Sequence, residues 1–119
     1  MKVLVCEDDI IVLKVIQVAL ENKNVEAVYF QDGRKALKFL NENDVDLIIT
    51  DIHMPYHNGD EILKLVREDQ QKNTPVVMIS SDTQEEVIAL ARKQGVNEFI
   101  NKPIDAISME KRLKKFLPN

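Results

Sequence analysis

Three carboxylates, one hydroxyl and one ammonium stand at the ends of short apolar runs in this chain. Glu7 and Asp8 follow Lys2–Cys6 (KVLVC), with Asp9 behind them, and Asp51 follows Asp46–Thr50 (DLIIT). Ser80 follows Pro75–Ile79 (PVVMI), and Lys102-Pro103 follow Glu98–Asn101 (EFIN). These residue types suit phosphate and metal chemistry. Clustered carboxylates repel one another and raise each other's pKa. A divalent cation offsets that repulsion, and an oxygen-only set in a partly open site favours Mg²⁺, which keeps several waters. A carboxylate at Asp51 can act as a nucleophile and accept a phosphoryl group as an acyl phosphate. That transfer is catalysed mainly by positioning and charge neutralisation. Lys102 is a compact ammonium suited to phosphate oxygens, and the Ser80 hydroxyl can donate to one.

Each of these residues also has a plainer role. One carboxylate would suffice to cap a helix and favour its N-terminus; three in a row exceed that need. Asp9 is expected to be the cap and to point away. Asp51 could be a turn aspartate before Ile52-His53-Met54-Pro55. A lone Lys102 would be a solvated lysine. Ser80 could cap a helix, although Ser81, Asp82 and Thr83 already offer caps. His53 and His57 are four apart, a metal spacing only on a helix, and Pro55 between them makes both loop residues. Phe99 alone reads as an edge-strand core residue.

Convergence of the five groups depends on the elements that carry them. Lys2–Cys6, Asp46–Thr50 and Pro75–Ser80 are nearly continuous apolar runs, as in strands buried on both faces of a parallel sheet. Val25–Phe30 contains Glu26, and Glu98–Asn101 is short with polar ends, so both fit sheet edges. Helical patterns alternate with them. Asp9–Asn22 is apolar except for a stripe of Lys14, Gln17 and Glu21. Gly33–Asn43 groups Ala36, Leu37 and Leu40. Asn58–Glu68 groups Ile62, Leu63 and Val66. Thr83–Gln94 groups Val87, Leu90 and Ala91, with Thr83/Glu86 or Asp82/Glu85 as capping pairs and Gly95 at its end. A last helix from Asp105 is expected to bury Met109, Leu113, Phe116 and Leu117. Strict alternation predicts an α/β fold with a parallel sheet and helices on both faces. The edge strands favour the flavodoxin-like order 2-1-3-4-5. Strands one and three then flank the switch point, where ligands of such sheets bind.

The chain has 119 residues, 45% hydrophobic and 30% charged, with three glycines and four prolines. These values predict one ordered globular domain over residues 1–119. A net charge of −4 argues against direct nucleic-acid binding. The only basic run, Lys111–Lys115, is read as complementing the dipole of the last helix. Cys6, the single cysteine, excludes an internal disulfide and is expected to be buried. Met1-Lys2 leads straight into the first strand without a signal segment, and no run approaches the length of a membrane span. The cytoplasm is the expected compartment.

From VLVCEDD through DIHMP, Gly59, PVVMISS and FINKP to the final helix, the chain resembles the receiver domain of bacterial two-component response regulators. The resemblance implies that Asp51 is the phosphoacceptor. Asp8 would bind Mg²⁺ directly, Glu7 would assist through water, and the His53 backbone carbonyl would be a further metal ligand. Ser80 would be the switch hydroxyl, Lys102 the phosphate-pairing lysine, and Phe99 the aromatic switch residue that turns inward. A cis Lys102–Pro103 bond is also implied. By the same resemblance, His53 and Asp82 would occupy positions that tune phosphoryl lifetime. Glu7 replaces the commoner aspartate, Phe99 lacks a tyrosine hydroxyl, His57-Asn58 replace Met-Asp, and Ser81 replaces a small alanine.

The implied partners are a histidine kinase or phosphotransfer protein upstream and a target protein or output domain downstream, with phosphorylation-dependent dimerisation an option. The first helix, with outward Val12 and Val15, is the expected kinase-docking surface. The switch would act through the face of helix four, strand five and helix five. The domain would catalyse only its own phosphorylation and dephosphorylation. No length is left over for an output domain, so a stand-alone receiver and a piece of a larger regulator or hybrid kinase are both expected options. A degenerate receiver that binds partners without phosphorylation is the alternative, although Glu7, Asp8, Asp51, Ser80 and Lys102 are all retained. A metal-dependent phosphohydrolase would need an aspartate where His53 stands. A flavin carrier would need a Gly/Ser/Thr-rich phosphate cradle where the loop is acidic.

Overall fold

The five expected strands form, joined by helices that pack on both faces of their sheet. The computed structural model describes residues 1–53, 59–81 and 84–118. In chain order the elements are β1 (Lys2–Cys6), α1 (Ile10–Leu20), β2 (Glu26–Phe30), α2 (Gly33–Glu42), β3 (Leu47–Asp51), α3 (Gly59–Lys64), β4 (Val76–Ser80), α4 (Glu85–Lys93), β5 (Glu98–Asn101) and α5 (Ala106–Leu113). A π-helical turn at Leu65–Asp69 prolongs α3, and a 3-10 turn at Lys114–Phe116 prolongs α5. All neighbouring strands are parallel, in the expected order β2-β1-β3-β4-β5. The third strand lies one residue later than its apolar run, so Asp51 is its final residue.

Every position of β3 and β4 is buried, as expected for central strands. Alternate side chains feed two cores. Leu4, Cys6, Ile48, Met78 and Phe99 face α2, α3 and α4. Val3, Val5, Leu47, Ile49, Val77, Ile79 and Ile100 face α1 and α5. Each fully buried aliphatic side chain of this kind contributes roughly 1.5–3 kcal/mol. Met109 and Leu113 of α5 are wholly buried, whereas Phe116 and Leu117 are half-buried.

Two helix faces differ from the sequence reading. On α4, Val87, Ile88 and Ala91 pack inward, and Leu90 is 55% exposed. The helix is rotated so that the Val87–Ile88 ridge, not Leu90, meets the core. On α1, Val12 and Val15 pack against the core, and the outward apolar residues are Ile10, Ile11 and Val18. This helix packs against α5 and shares a core with the sheet residues, so its buried stripe is wide enough to include the two valines.

Asp9, Asp32 and Asp105 cap α1, α2 and α5 through side-chain bonds from backbone N–H groups. Gln84 precedes α4 without a side-chain cap bond; the expected capping residues Asp82 and Thr83 lie outside the described residues. Gly95, at φ +101°, ends α4. Arg67 of the π-turn holds this corner, donating to Gly95 O at 3.0 Å and to Asn97 Oδ1 at 2.9 Å.

Candidate functional site

Strand pairing brings the reactive groups to one edge. Cys6 lies opposite Thr50, so Glu7 and Asp51 emerge side by side from β1 and β3. Ser80 lies opposite Asn101, and the next amide, Lys102 N–H, donates to Ser80 O at 2.8 Å. Lys102 therefore starts beside β4 and reaches back across the strand ends. Its Nζ donates to Asp51 Oδ2 at 2.8 Å. Glu7 Oε1 lies 3.0 Å from the same ammonium, but outside hydrogen-bonding geometry, and has no other hydrogen-bond partner among the described residues. Glu7 Oε2 accepts from Asp9 N–H at 3.0 Å. The Lys102–Pro103 peptide is cis.

The backbone around Asp51 is held closely. His53 N–H donates to Asp51 Oδ1 at 3.2 Å. The buried Thr50 hydroxyl donates to Asp51 O at 2.9 Å. Gly59 N–H donates to Ile52 O at 2.7 Å. A Cβ on Gly59 would stand 2.3 Å from Asp51 O, so only glycine allows α3 to start this close to Asp51. Thr50 was not singled out from sequence; its signal was a hydroxyl within an otherwise apolar run.

Glu7, Asp8 and Asp51 each offer one oxygen, and the three lie within 4.8 Å of one another. An octahedral Mg²⁺ shell, with bonds of ~2.1 Å, spaces its oxygens about 3–4 Å apart. Modest closure of these side chains would meet that spacing. The buried Oε1 of Glu7, ion-paired but not hydrogen-bonded, is an oxygen that a cation could use. The donor set therefore fits a hard divalent cation. Glu7 is fully buried and Asp51 6% exposed, whereas Asp8 is exposed and gives access from solvent. Burial pushes the Glu7 carboxyl up to about 7, reinforced by the charge of Asp51 and opposed by Asp9 N–H and Lys102. Burial pulls Lys102 down, but its hydrogen bond to Asp51 and its ion pair with Glu7 outweigh this and raise it. Burial, with the charges of Glu7, Asp32 and Asp51, drives Cys6 up to about 12 despite its bond with Thr50. This thiol is packing material.

The structure thus gathers Glu7, Asp8, Asp51 and Lys102, with Ser80 fully buried at the adjoining strand end. Phe99 sits one strand further on, 5% exposed, already turned into the core beneath α3 and α4. His53 is exposed. His57 and Asp82 lie outside the described residues.

The family model for the response regulator receiver domain matches residues 3–114. The chain is 34% identical to chemotaxis protein CheY-3 of Vibrio cholerae, over 97% of this chain and 90% of that protein. It is 32% identical to the response regulator ArlR of Staphylococcus saprophyticus, over 98% of this chain but 52% of that protein. Against the V. cholerae sensor kinase/phosphatase CqsS it spans only 16% of the relative's length. Among solved structures, CheY4 of V. cholerae matches with a TM-score of 0.85 at 31% identity, covering 98% of each chain. The phosphorylated cyanobacterial phytochrome response regulator RcpA matches with a TM-score of 0.86 at 27% identity, over 99% of this chain and 98% of that one. Fold, strand-end chemistry and similarity agree, and the chain belongs to the response regulator receiver domain family.

Proposed function

We propose that this receiver is a phosphorylation-activated signalling switch that takes a phosphoryl group on Asp51 from a histidine kinase or phosphotransfer protein. The observation that carries this reading is Asp51 itself: buried at a strand end, bonded to Lys102 and within 4.8 Å of the Glu7 and Asp8 oxygens. In the transfer, an Asp51 carboxylate oxygen attacks the phosphorus of a phosphohistidine. The P–O bond forms and the P–N bond breaks. The electron pair returns to the imidazole nitrogen, which takes up a proton. Water later hydrolyses the acyl phosphate and resets the switch.

Glu7, Asp8, Asp51 and the His53 backbone carbonyl would hold Mg²⁺, which when bound neutralises charge on the phosphoryl oxygens. Lys102 shifts its bond from Asp51 to a phosphoryl oxygen. Ser80 donates to another. Both gains exist only in the phosphorylated form, which is the differential interaction a population shift requires. The bias passes through the loops after β4 and β5 to the face of α4, β5 and α5. The outward Ile10, Ile11 and Val18 of α1 form the apolar patch for the upstream partner. That a related regulator, RcpA, is known in a phosphorylated structure supports the reading.

Borohydride reduction locates an aspartyl phosphate by converting it to homoserine. After incubation with acetyl phosphate and Mg²⁺, peptide mapping is expected to find homoserine at position 51. Folded protein that yields none, or yields it elsewhere, contradicts the assignment and leaves a phosphorylation-independent binding module.

A further inference from the structure

Helix α5 and the 3-10 turn that prolongs it carry two basic stripes with different surroundings. Arg112 and Lys115 turn towards β5, where both bind Glu98. Ile107, Glu110, Lys111 and Lys114, at helical spacing, share another face and turn towards the α1–β2 loop. Lys23 of that loop binds Glu110 Oε1 at 2.6 Å. Between loop and helix lies a recess of about 470 Å³. Lys111 and Lys114 line it; neither closes an ion pair among the described residues, although Asp105 feels the charge of Lys111 and Glu110 that of Lys114. Ile107, 70% exposed, and the half-buried Leu117 add apolar wall.

The recess is positive on a domain whose net charge is −4. It also lies at the opposite pole from Asp51. The α1–β2 loop precedes β2, at the amino ends of the parallel strands, whereas Asp51 is at their carboxyl ends. We propose that this recess docks an acidic, amphipathic segment of a partner protein. Carboxylates of the segment face Lys111 and Lys114, and an apolar side chain covers Ile107 and Leu117. Complementary charge of this kind steers encounter and selects the partner. A nucleotide is a poorer match, because the lining holds neither an aromatic ring for stacking nor an arginine fork for phosphate. Two lysines are also few for attachment to an anionic membrane, where polybasic clusters are the rule.

The test pans a displayed library of random peptides against the whole folded chain and against Lys111→Glu/Lys114→Glu. Selected peptides are then titrated in solution. The expected outcome is enrichment of peptides that combine Asp or Glu with Leu, Ile or Phe. Their affinity should fall roughly tenfold in the double variant and again in ~1 M salt. Unchanged thermal unfolding and phosphoryl uptake would show that the variant is intact; if it unfolds, Lys111→Gln/Lys114→Gln replaces it. Peptides without acidic residues, or with affinity indifferent to both substitutions, overturn the proposal. So does displacement of the peptide by ATP at lower concentration than unlabelled peptide, or lysine-dependent binding confined to phosphatidylserine vesicles.

Discussion

Glu7 and Glu98 are both glutamates held by basic side chains, and the fold drives them in opposite directions. Glu7 is buried, shares one ammonium with Asp51, and is pushed up to about 7. Partial burial pulls Glu98 upward as well, but the bonds from Arg112 and Lys115 outweigh it and hold the carboxyl below its ordinary value. At the first site carboxylates outnumber cations; at the second, cations outnumber carboxylates. The Glu98 cluster is a finished edge contact between β5 and α5. The Glu7 cluster carries unneutralised negative charge in a buried place, an arrangement that stabilises the fold poorly and suits a site that receives a cation.

The largest expected effect comes from removing the shared ammonium. Lys102→Ala leaves two buried carboxylates without their cation and should cost on the order of 3 kcal/mol in chelator-treated protein. Denaturant unfolding reads this directly, and added Mg²⁺ should recover part of the loss. A cost below ~1 kcal/mol would mean that the Glu7 cluster is as solvent-screened as the Glu98 cluster.

The next effect concerns pH. Because the folded pKa of Glu7 is raised, the folded state keeps a proton that the unfolded chain has already released. Its contribution is full below the ordinary carboxylate value and is lost as pH rises towards and through about 7. Without divalent cation, the wild type should therefore lose about 2 kcal/mol relative to Glu7→Gln between pH 5 and 8. Glu98 has the opposite sign, its contribution being present at neutral pH and lost as pH falls through its lowered value. Parallel pH profiles for Glu7→Gln and Glu98→Gln would show that the two carboxyls are held alike.

Gly59→Ala should cost about 2 kcal/mol, because its Cβ must displace the Asp51 carbonyl from 2.3 Å. Phosphoryl uptake at Asp51 should slow with it, as mass spectrometry over time would show. Glu98→Gln should produce the smallest change, below ~1 kcal/mol at neutral pH, with phosphoryl uptake unchanged. A large loss of uptake there would show that the edge contact belongs to the site.

Much of this could be read from residue order. Buried parallel strands are nearly pure apolar runs, so β1, β3 and β4 identified themselves, and the polar residues that end them had to share an edge once the order was known. Helix faces were harder. In α1, apolar residues nearly surround the helix, so periodicity could not say that Val12 and Val15 face inward and Ile10, Ile11 and Val18 outward. In α4, shifting the inward ridge by one residue exposes Leu90. The π-turn at Leu65–Asp69 continues the apolar spacing of α3, which does not register the change in hydrogen bonding. Long-range charge pairing was hidden as well. The basic run Lys111–Lys115 reads as dipole complement, and only the packing of α5 beside β5 shows Arg112 and Lys115 gathered on Glu98.

In the proposed function, the surplus charge at Glu7, Asp8 and Asp51 serves cation-assisted phosphoryl transfer to Asp51. Intact mass after incubation with acetyl phosphate tests it most directly, comparing wild type with Mg²⁺, wild type with chelator, and Asp51→Asn with Mg²⁺. One added phosphoryl group is expected in the first sample and none in the other two. An adduct that forms equally with chelator, or that survives Asp51→Asn, would contradict it.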